Sequence, residues 1–260
     1  EHADIKRMLL QQRAIVEGSL SLMVYAGKLV DLSHASTGEE KERYETLLEI
    51  LTPIVKTYPS EMGIVSTSLA IQCLGGYGYS SEFPVEQYMR DSRIHPIHEG
   101  TTGIQGMDLL GRKVTMKKGA AVKIYLEEIN KTVKEAAVYD DLKPYASQLE
   151  EAVSLWKTVT NGLLGIAAKG EIDLFLADAT LYLEFSGIIC LAWQWLVQGT
   201  AVLKMIQNSP SGNDLNFAEG KLFTLRYFFE YELPKIQGLS ARLKNTDGLT
   251  LKMKPEFFED

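Results

Sequence analysis

Apolar side chains recur at helical spacing through most of the chain. In the first stretch Ile5, Met8, Ile15 and Met23 follow one another three, seven and eight residues apart, and the pattern continues to about Leu32. This spacing places the apolar side chains on one face of an α-helix. The sequence therefore predicts a first long helix from the opening residues to about Leu32.

Two further helices are predicted before residue 75. Thr37 and Glu40 have the spacing of a capping box, which favours the start of a helix that continues through Leu51. The sequence Tyr58-Pro59-Ser60 interrupts this pattern, because proline inside a helix removes a backbone hydrogen bond. We therefore expect one helix to end near Pro59 and a third helix to run from near Ser60 to Leu74.

A run of glycines directly after Leu74 predicts a sharp end to this third helix. Beyond it, residues 85–90 fit a short helix and residues 94–102 a loop. A further helix is expected to begin near Gly103.

The second half of the chain contains four long helical patterns. The basic, glycine-containing stretch 112–119 separates it from the first half, and we take this stretch as a domain boundary between residues 1–115 and 116–260. A break is predicted at Pro210-Ser211-Gly212-Asn213, and a kink at Pro234. The four helices are predicted at residues 120–137, 142–168, 171–207 and 215–245. Four antiparallel helices with short connections form a bundle, and no segment alternates like a strand, so we expect an all-α protein with two helical domains.

Composition and charge exclude several classes of function and location. The net charge of −7 argues against a nucleic-acid-binding surface. Cys73 and Cys190 lie far apart within apolar stretches, which indicates reduced, buried thiols and a cytoplasmic location. The densest apolar run, 185–197, is too short to span a bilayer and predicts a buried core helix, so no membrane is expected as a partner.

The first residues, Glu1 to Arg7, are charged and already helical in pattern, which does not fit a signal peptide. We interpret the chain as part of a longer protein.

The residues suited to chemistry lie between positions 72 and 105. Three glycines follow a helix here, so the dinucleotide fingerprint that follows a strand does not apply. Glycine permits close approach of the backbone to a bulky ligand. Hydroxyls and free N–H groups ahead of a helix, as in Glu99-Gly100-Thr101-Thr102, favour an anionic or carbonyl-bearing ligand. The segments concerned are Gln72-Cys73-Leu74-Gly75-Gly76-Tyr77-Gly78-Tyr79, Arg90-Asp91 and Glu99-Gly100-Thr101-Thr102-Gly103-Ile104-Gln105.

In this order and spacing, these segments resemble the C-terminal domain of the acyl-CoA dehydrogenase family. The resemblance covers about residues 1–115, and the remainder is similar to the extra C-terminal helical domain of the longer members. It implies an FAD-dependent oxidoreductase that acts on acyl-CoA, passes electrons to electron-transfer flavoprotein and forms homo-oligomers.

The resemblance also implies a role for each matching residue. Glu99 matches the base that removes the α-proton. Its backbone N–H matches the group that binds the thioester carbonyl. A carboxylate shielded from water beside an apolar chain is suited to this task near neutral pH. Gly100 matches a residue that lies against the substrate. The residues that match contacts to the flavin are Thr101, Thr102 and Gln105, and those that match contacts to the ADP part of FAD are Gln72, Gly75 and Gly76.

One residue departs from the family pattern. His98 stands where an aromatic tyrosine usually precedes the base, so the resemblance defines the reaction but not the acyl group. His95 and His98 are candidate metal ligands, but no third ligand stands at zinc spacing, so we expect no metal.

Two alternatives stay open: a protein with this fold but without dehydrogenase activity, and a helical interaction module formed by the chain itself. The family's N-terminal and middle domains have no counterpart in the 260 residues. We therefore expect the isolated chain to be inactive and to bind FAD weakly or not at all.

Overall fold

A computed structural model describes residues 2–208 and 211–259. Within these residues the regular elements are helical and no β-strand is present, which confirms the all-α class. Short 3-10 or π turns connect several of the helices. The helices are α1 (Ala3–Ala35), α2 (Gly38–Leu74), α3 (Val85–Ser92), α4 (Thr102–Asp108), α5 (Ala120–Ala136), α6 (Lys143–Ala167), α7 (Ile172–Leu176), α8 (Ala179–Ile206), α9 (Asn213–Tyr227), α10 (Ile236–Lys244) and α11 (Leu249–Lys252).

Helices α1 and α2 form a long antiparallel hairpin. The prediction of α1 is confirmed, with the helix three residues longer than expected at its C-terminal end. Thr37 is the N-cap residue of α2 with extended backbone angles, but its side chain makes no capping hydrogen bond. The capping-box prediction is therefore right about where the helix starts and wrong about the hydrogen bond that would mark it.

The predicted break at Pro59 is wrong. Helix α2 runs without interruption from Gly38 to Leu74 and contains both Pro53 and Pro59. Burial explains the difference: Ile54 and Tyr58, which lie between the two prolines, are 2% and 6% exposed. Packing of these side chains in the core offsets the backbone hydrogen bonds that the prolines cannot donate.

The second half of the chain follows the predicted helices with two corrections. Helices α5 and α6 begin and end within one residue of their predictions. The predicted helix 171–207 is divided into α7 and α8 at Asp178, whose carboxylate accepts a hydrogen bond from Arg242 Nε at 3.0 Å.

The predicted helix 215–245 is also not regular. A π turn over Phe228–Glu232 and a 3-10 turn over Leu233–Lys235 separate α9 from α10. Pro234 lies in the second turn, as the predicted kink requires. Of the break predicted at residues 210–213, Pro210 lies outside the described residues, and Gly212 precedes α9 with a φ of +56°.

Helix α8 is the centre of the molecule. It packs against α1, α2 and α4 from the first half and against α5, α6, α9 and α10 from the second. Its length and mean hydropathy of 1.3 would suffice to cross a membrane, but 83% of its most apolar window is buried inside the protein. The apolar run 185–197 is therefore part of a core helix, as predicted.

The three tryptophans join the helices around this core. Each indole Nε1 donates a hydrogen bond within the buried interior: Trp156 to Ser186 at 2.9 Å, and Trp193 to Thr132 at 2.8 Å. Trp195 donates to the backbone carbonyl of Ala14 in α1. A single cluster of buried apolar side chains thus extends from α1 to α10.

Candidate active site

Gly75 ends helix α2 with backbone angles of φ +60° and ψ −140°, a region that only glycine adopts at little cost. A 3-10 turn over Gly75–Tyr79 follows. At Gly78 a Cβ atom would lie 2.5 Å from the carbonyl oxygen of Ile71, so the turn folds back tightly onto α2. Around Gly75 and Gly76 no other atom would meet a Cβ, which leaves their backbone open to a ligand.

Glu99 lies in the loop between α3 and α4 and is exposed. Its φ of +53° is uncommon for a residue with a side chain, and Gly100 follows with a φ of +85°. Among the described residues, the Glu99 N–H makes no hydrogen bond. Both its carboxylate and its N–H are therefore available to a ligand.

Hydrogen bonds within the loop hold this conformation. The N–H of Thr102 donates to the carbonyl of Pro96 at 3.1 Å, and the side-chain amide of Gln105 donates to the carbonyl of Glu99 at 3.4 Å. Thr101 is the N-cap of α4, where its hydroxyl accepts from the N–H of Ile104 at 3.4 Å.

His98 points back into the loop and does not contact the Glu99 carboxylate. Its Nδ1 lies 2.9 Å from the carbonyl oxygen of Ile94. A carbonyl only accepts, so Nδ1 carries a proton in this arrangement. The ring of His95 lies 5.6 Å from that of His98 between centroids. Within the described part of the chain, no cluster of three His, Cys, Asp or Glu side chains could hold a metal ion.

Two residues of α2 also hold the loop. Lys56 Nζ donates to the carbonyl of His95 at 2.8 Å, and the Thr102 hydroxyl donates to the carboxylate of Glu61. Glu184 of α8 belongs to the same neighbourhood: burial raises the pKa of its carboxyl, nearby Lys235 opposes this shift, and Glu61 adds to it. Lys56 and Glu61 were not identified from the sequence, where Glu61 follows the expected helix break.

The structure brings the site residues from the sequence together in two groups. Glu99, Gly100, Thr101, Thr102 and Gln105 form one group, anchored at Glu61. Gln72, Gly75 and Gly76 form the other, which begins eleven residues further along α2. At a rise of 1.5 Å per residue, this corresponds to about 17 Å.

Comparisons with known proteins agree with the fold and the motifs. Residues 1–114 match the model of the acyl-CoA dehydrogenase C-terminal domain, and residues 125–254 match the model described as acetyl-CoA dehydrogenase C-terminal like.

Among curated proteins, the chain is 32% identical to a butyryl-CoA dehydrogenase of Syntrophomonas wolfei, over 99% of this chain and 42% of that protein. It is 31% identical to the 3-methylmercaptopropionyl-CoA dehydrogenase of Ruegeria pomeroyi, over 95% of this chain and 41% of that protein. The chain thus spans about two fifths of the length of the curated relatives it matches.

Among solved structures, Caenorhabditis elegans ACDH-11 in complex with C11-CoA aligns with a TM-score of 0.59 and 18% identity. The alignment covers 92% of this chain and 38% of that one. At this identity the likeness concerns the fold alone.

Proposed function

We propose a function for this chain from one premise: it belongs to the acyl-CoA dehydrogenase family. The chain is then the C-terminal part of an FAD-dependent enzyme that converts an acyl-CoA thioester to its 2-enoyl-CoA. The observation that carries the proposal is the position of Glu99, which matches the family's catalytic base. The residue is exposed on a loop whose conformation is held by hydrogen bonds. The relatives named above, a butyryl-CoA and a 3-methylmercaptopropionyl-CoA dehydrogenase, support it.

In the proposed reaction, the Glu99 carboxylate removes the α-proton and becomes a carboxylic acid. The electron pair of the Cα–H bond forms the Cα=Cβ bond, while the β-hydrogen leaves with its own pair as a hydride. When bound, FAD supplies the acceptor for this hydride. The N–H of Glu99, which has no partner in the described part of the chain, is suited to bind the thioester carbonyl oxygen, where negative charge develops as the α-proton leaves. Gly100 has no side chain that would block the acyl chain.

The residues fit FAD as two separate contacts. Gly75 and Gly76 offer open backbone beside the exposed Gln72 side chain, which suits the ADP part. Thr101, Thr102 and Gln105 would contact the flavin end. The hydroxyl proton of Thr102 is already donated to Glu61, so this hydroxyl can only accept from a further ligand.

Partners are proposed on the same basis: electron-transfer flavoprotein as the electron acceptor, and further copies of the protein in a homo-oligomer. Exposed apolar side chains on α1 support contact with protein outside this chain, since surfaces of this kind mark interaction sites. Leu9, Val16, Leu20, Met23 and Val24 are all more than 40% exposed. A cytoplasmic location is proposed from the free thiols of Cys73 and Cys190.

The test is the Glu99→Gln variant of the full-length protein that the proposal implies. We expect FAD to stay bound while dehydrogenation of acyl-CoA falls about 100- to 10,000-fold, because the amide cannot accept the α-proton. The matched control is Glu150→Gln, an exposed glutamate of α6, which should keep its activity. The assays use a panel of acyl-CoA thioesters with a dye acceptor. Turnover retained by Glu99→Gln would refute the role of Glu99, and turnover of no thioester would favour a non-dehydrogenase member of the family.

A further inference from the structure

The loop that carries Glu99 is tied to one helix at both of its ends. Lys56 of α2 holds the carbonyl of His95, and Glu61 of α2 holds the hydroxyl of Thr102. The residues between these two ties, 96–101, include Glu99. Both ties therefore act across the segment that presents the base.

These ties are stronger than ordinary loop hydrogen bonds. Each has one charged partner, the Lys56 ammonium or the Glu61 carboxylate, and charge-assisted hydrogen bonds exceed neutral ones in strength. Lys56 and Glu61 are both half-buried on α2. The bond from Thr102 to Glu61 is partly buried, so water competes less for it, whereas the bond from Lys56 to the carbonyl of His95 is exposed. Within the loop, the carbonyl of the buried Pro96 accepts from the N–H of Thr102 at 3.1 Å and stabilises the loop conformation between the two ties.

The backbone at Glu99 explains why such ties are needed. A φ of +53° is disfavoured for glutamate and persists only where the surroundings enforce it. Among the described residues, nothing holds the Glu99 side chain itself by a hydrogen bond, so the loop ends and the bond from Gln105 to its carbonyl set its direction. The position of the carboxylate thus depends on how firmly the loop is attached to α2.

We propose that Lys56 and Glu61 are positioning residues that hold the 96–101 loop so that the Glu99 carboxylate faces the α-proton of the bound thioester. This inference rests on the proposed function of Glu99 but assigns a role to two residues outside the motif. In this role both act through the backbone and side chain of the loop, at the carbonyl of His95 and the hydroxyl of Thr102.

The experiment compares Glu61→Ala, Lys56→Met and Thr102→Val in the full-length protein. The main readout is exchange of the substrate α-proton for deuterium in D2O, which reports the step of Glu99 separately from hydride transfer. Because a displacement of about 1 Å can cost about 100-fold in rate, we expect exchange and kcat to fall about 10- to 100-fold. In Glu61→Ala and Lys56→Met, KM and FAD content should stay near those of the unmodified protein.

Conservative and double variants separate positioning from general stability. Thr102→Ser keeps the hydroxyl, so its exchange rate should be near that of the unmodified protein. The double variant Glu61→Ala with Thr102→Val should lose no more exchange activity than either change alone, because both changes remove the same hydrogen bond. Glu49→Ala is the matched control, because Glu49 of α2 pairs with Lys113 and not with the loop. It should leave exchange unchanged even if it lowers the melting temperature. If Glu61→Ala fails to fold, Lys56→Met carries the test.

The outcomes distinguish the inference from the function on which it rests. Full turnover by Glu99→Gln refutes the proposed function. Loss of activity in Glu99→Gln together with unmodified exchange in Glu61→Ala and Lys56→Met overturns the positioning role alone. An effect of the α2 variants that disappears at saturating FAD would also overturn it, since the change would then act on cofactor binding.

Discussion

The indole Nε1 of Trp195 in α8 donates a hydrogen bond to the backbone carbonyl of Ala14 in α1, with 3.1 Å between nitrogen and oxygen. The two residues are 181 positions apart, and Trp195 is fully buried. Gly18, one helical turn after Ala14, makes room for the indole. This contact joins the helical hairpin that supports the candidate active site to the central helix of the second half.

The first prediction concerns this close approach. At Gly18 a Cβ atom would lie 2.7 Å from Trp195 Nε1 and 2.9 Å from Leu191, whereas at Gly27 of the same helix it would meet nothing within 4 Å. Both Gly→Ala changes gain similar helix propensity, about 1 kcal/mol. Gly18→Ala should therefore be less stable than Gly27→Ala by about 1–3 kcal/mol, the cost of overpacking. Urea unfolding of the two variants measures the difference, and equal stability would show that α1 and α8 are not this close.

A second prediction concerns the buried hydrogen bond between Trp193 and Thr132. The Thr132 hydroxyl accepts from the indole at 2.8 Å and donates to the carbonyl of Glu128 at 3.3 Å. Thr132→Val keeps the shape but leaves the indole N–H without an acceptor, at a cost of about 1–3 kcal/mol. Thr158→Val, at an exposed site of α6 where the hydroxyl bonds only its own helix, is the control. Thermal unfolding that places both variants at the same midpoint would contradict the prediction.

The local pattern of apolar residues was sufficient to predict helices that have a single apolar face. Helices α5 and α6 were predicted within a residue because each has one apolar face and clear ends. The break at Pro59 was wrong because local propensity was weighed without the core: the packing of Ile54 and Tyr58 could not be read from neighbouring residues. Tertiary packing overrides local propensity where the residues between two prolines are buried in the core.

Some residues of the candidate site could be predicted from the sequence and others could not. The loop around Glu99 was found because its motif is contiguous in sequence. Lys56 and Glu61 were missed because they lie 39 and 41 residues from the loop atoms they bind, and such distances leave no periodic signal. The two groups of predicted cofactor contacts meet α2 at different points: one is held at Glu61, and the other begins at Gln72. Only the continuous helix α2 shows how far apart these points are.

A third prediction concerns pH. The Arg242 guanidinium, followed by the N–H of Leu249, lowers the pKa of the Asp247 carboxyl from 3.8 to about 2. Because the folded pKa lies below the unfolded one, this carboxylate stabilises the fold above about pH 4, and the contribution is lost as the pH falls from about 4 to about 2. Asp247→Asn should therefore lower the melting temperature at pH 7 and have little effect at pH 2.

The control for this pH dependence is Asp31→Asn, at an exposed position of α1 without an ion pair in the described part of the chain. Its melting temperature should follow that of the unmodified protein throughout the titration. If Asp247→Asn lowers the melting temperature equally at pH 7 and pH 2, the ion pair with Arg242 is not the cause.

The last prediction concerns how α4, which carries Thr102 and Gln105, is fixed to α8. At Gly106 a Cβ atom would lie 2.8–2.9 Å from the backbone of Ala179 and Thr180, and backbone atoms at the start of a helix cannot move aside. Gly106→Ala should therefore push α4 away from α8 and destabilise the protein by about 1–3 kcal/mol. Gly103→Ala is the control in the same helix, since its nearest neighbours would be 4.0 Å away. Urea unfolding gives the stabilities, and faster amide hydrogen exchange in α4 should accompany the loss. Equal stability and exchange in the two variants would mean that α4 tolerates displacement, and that α2 alone determines where the Glu99 loop lies.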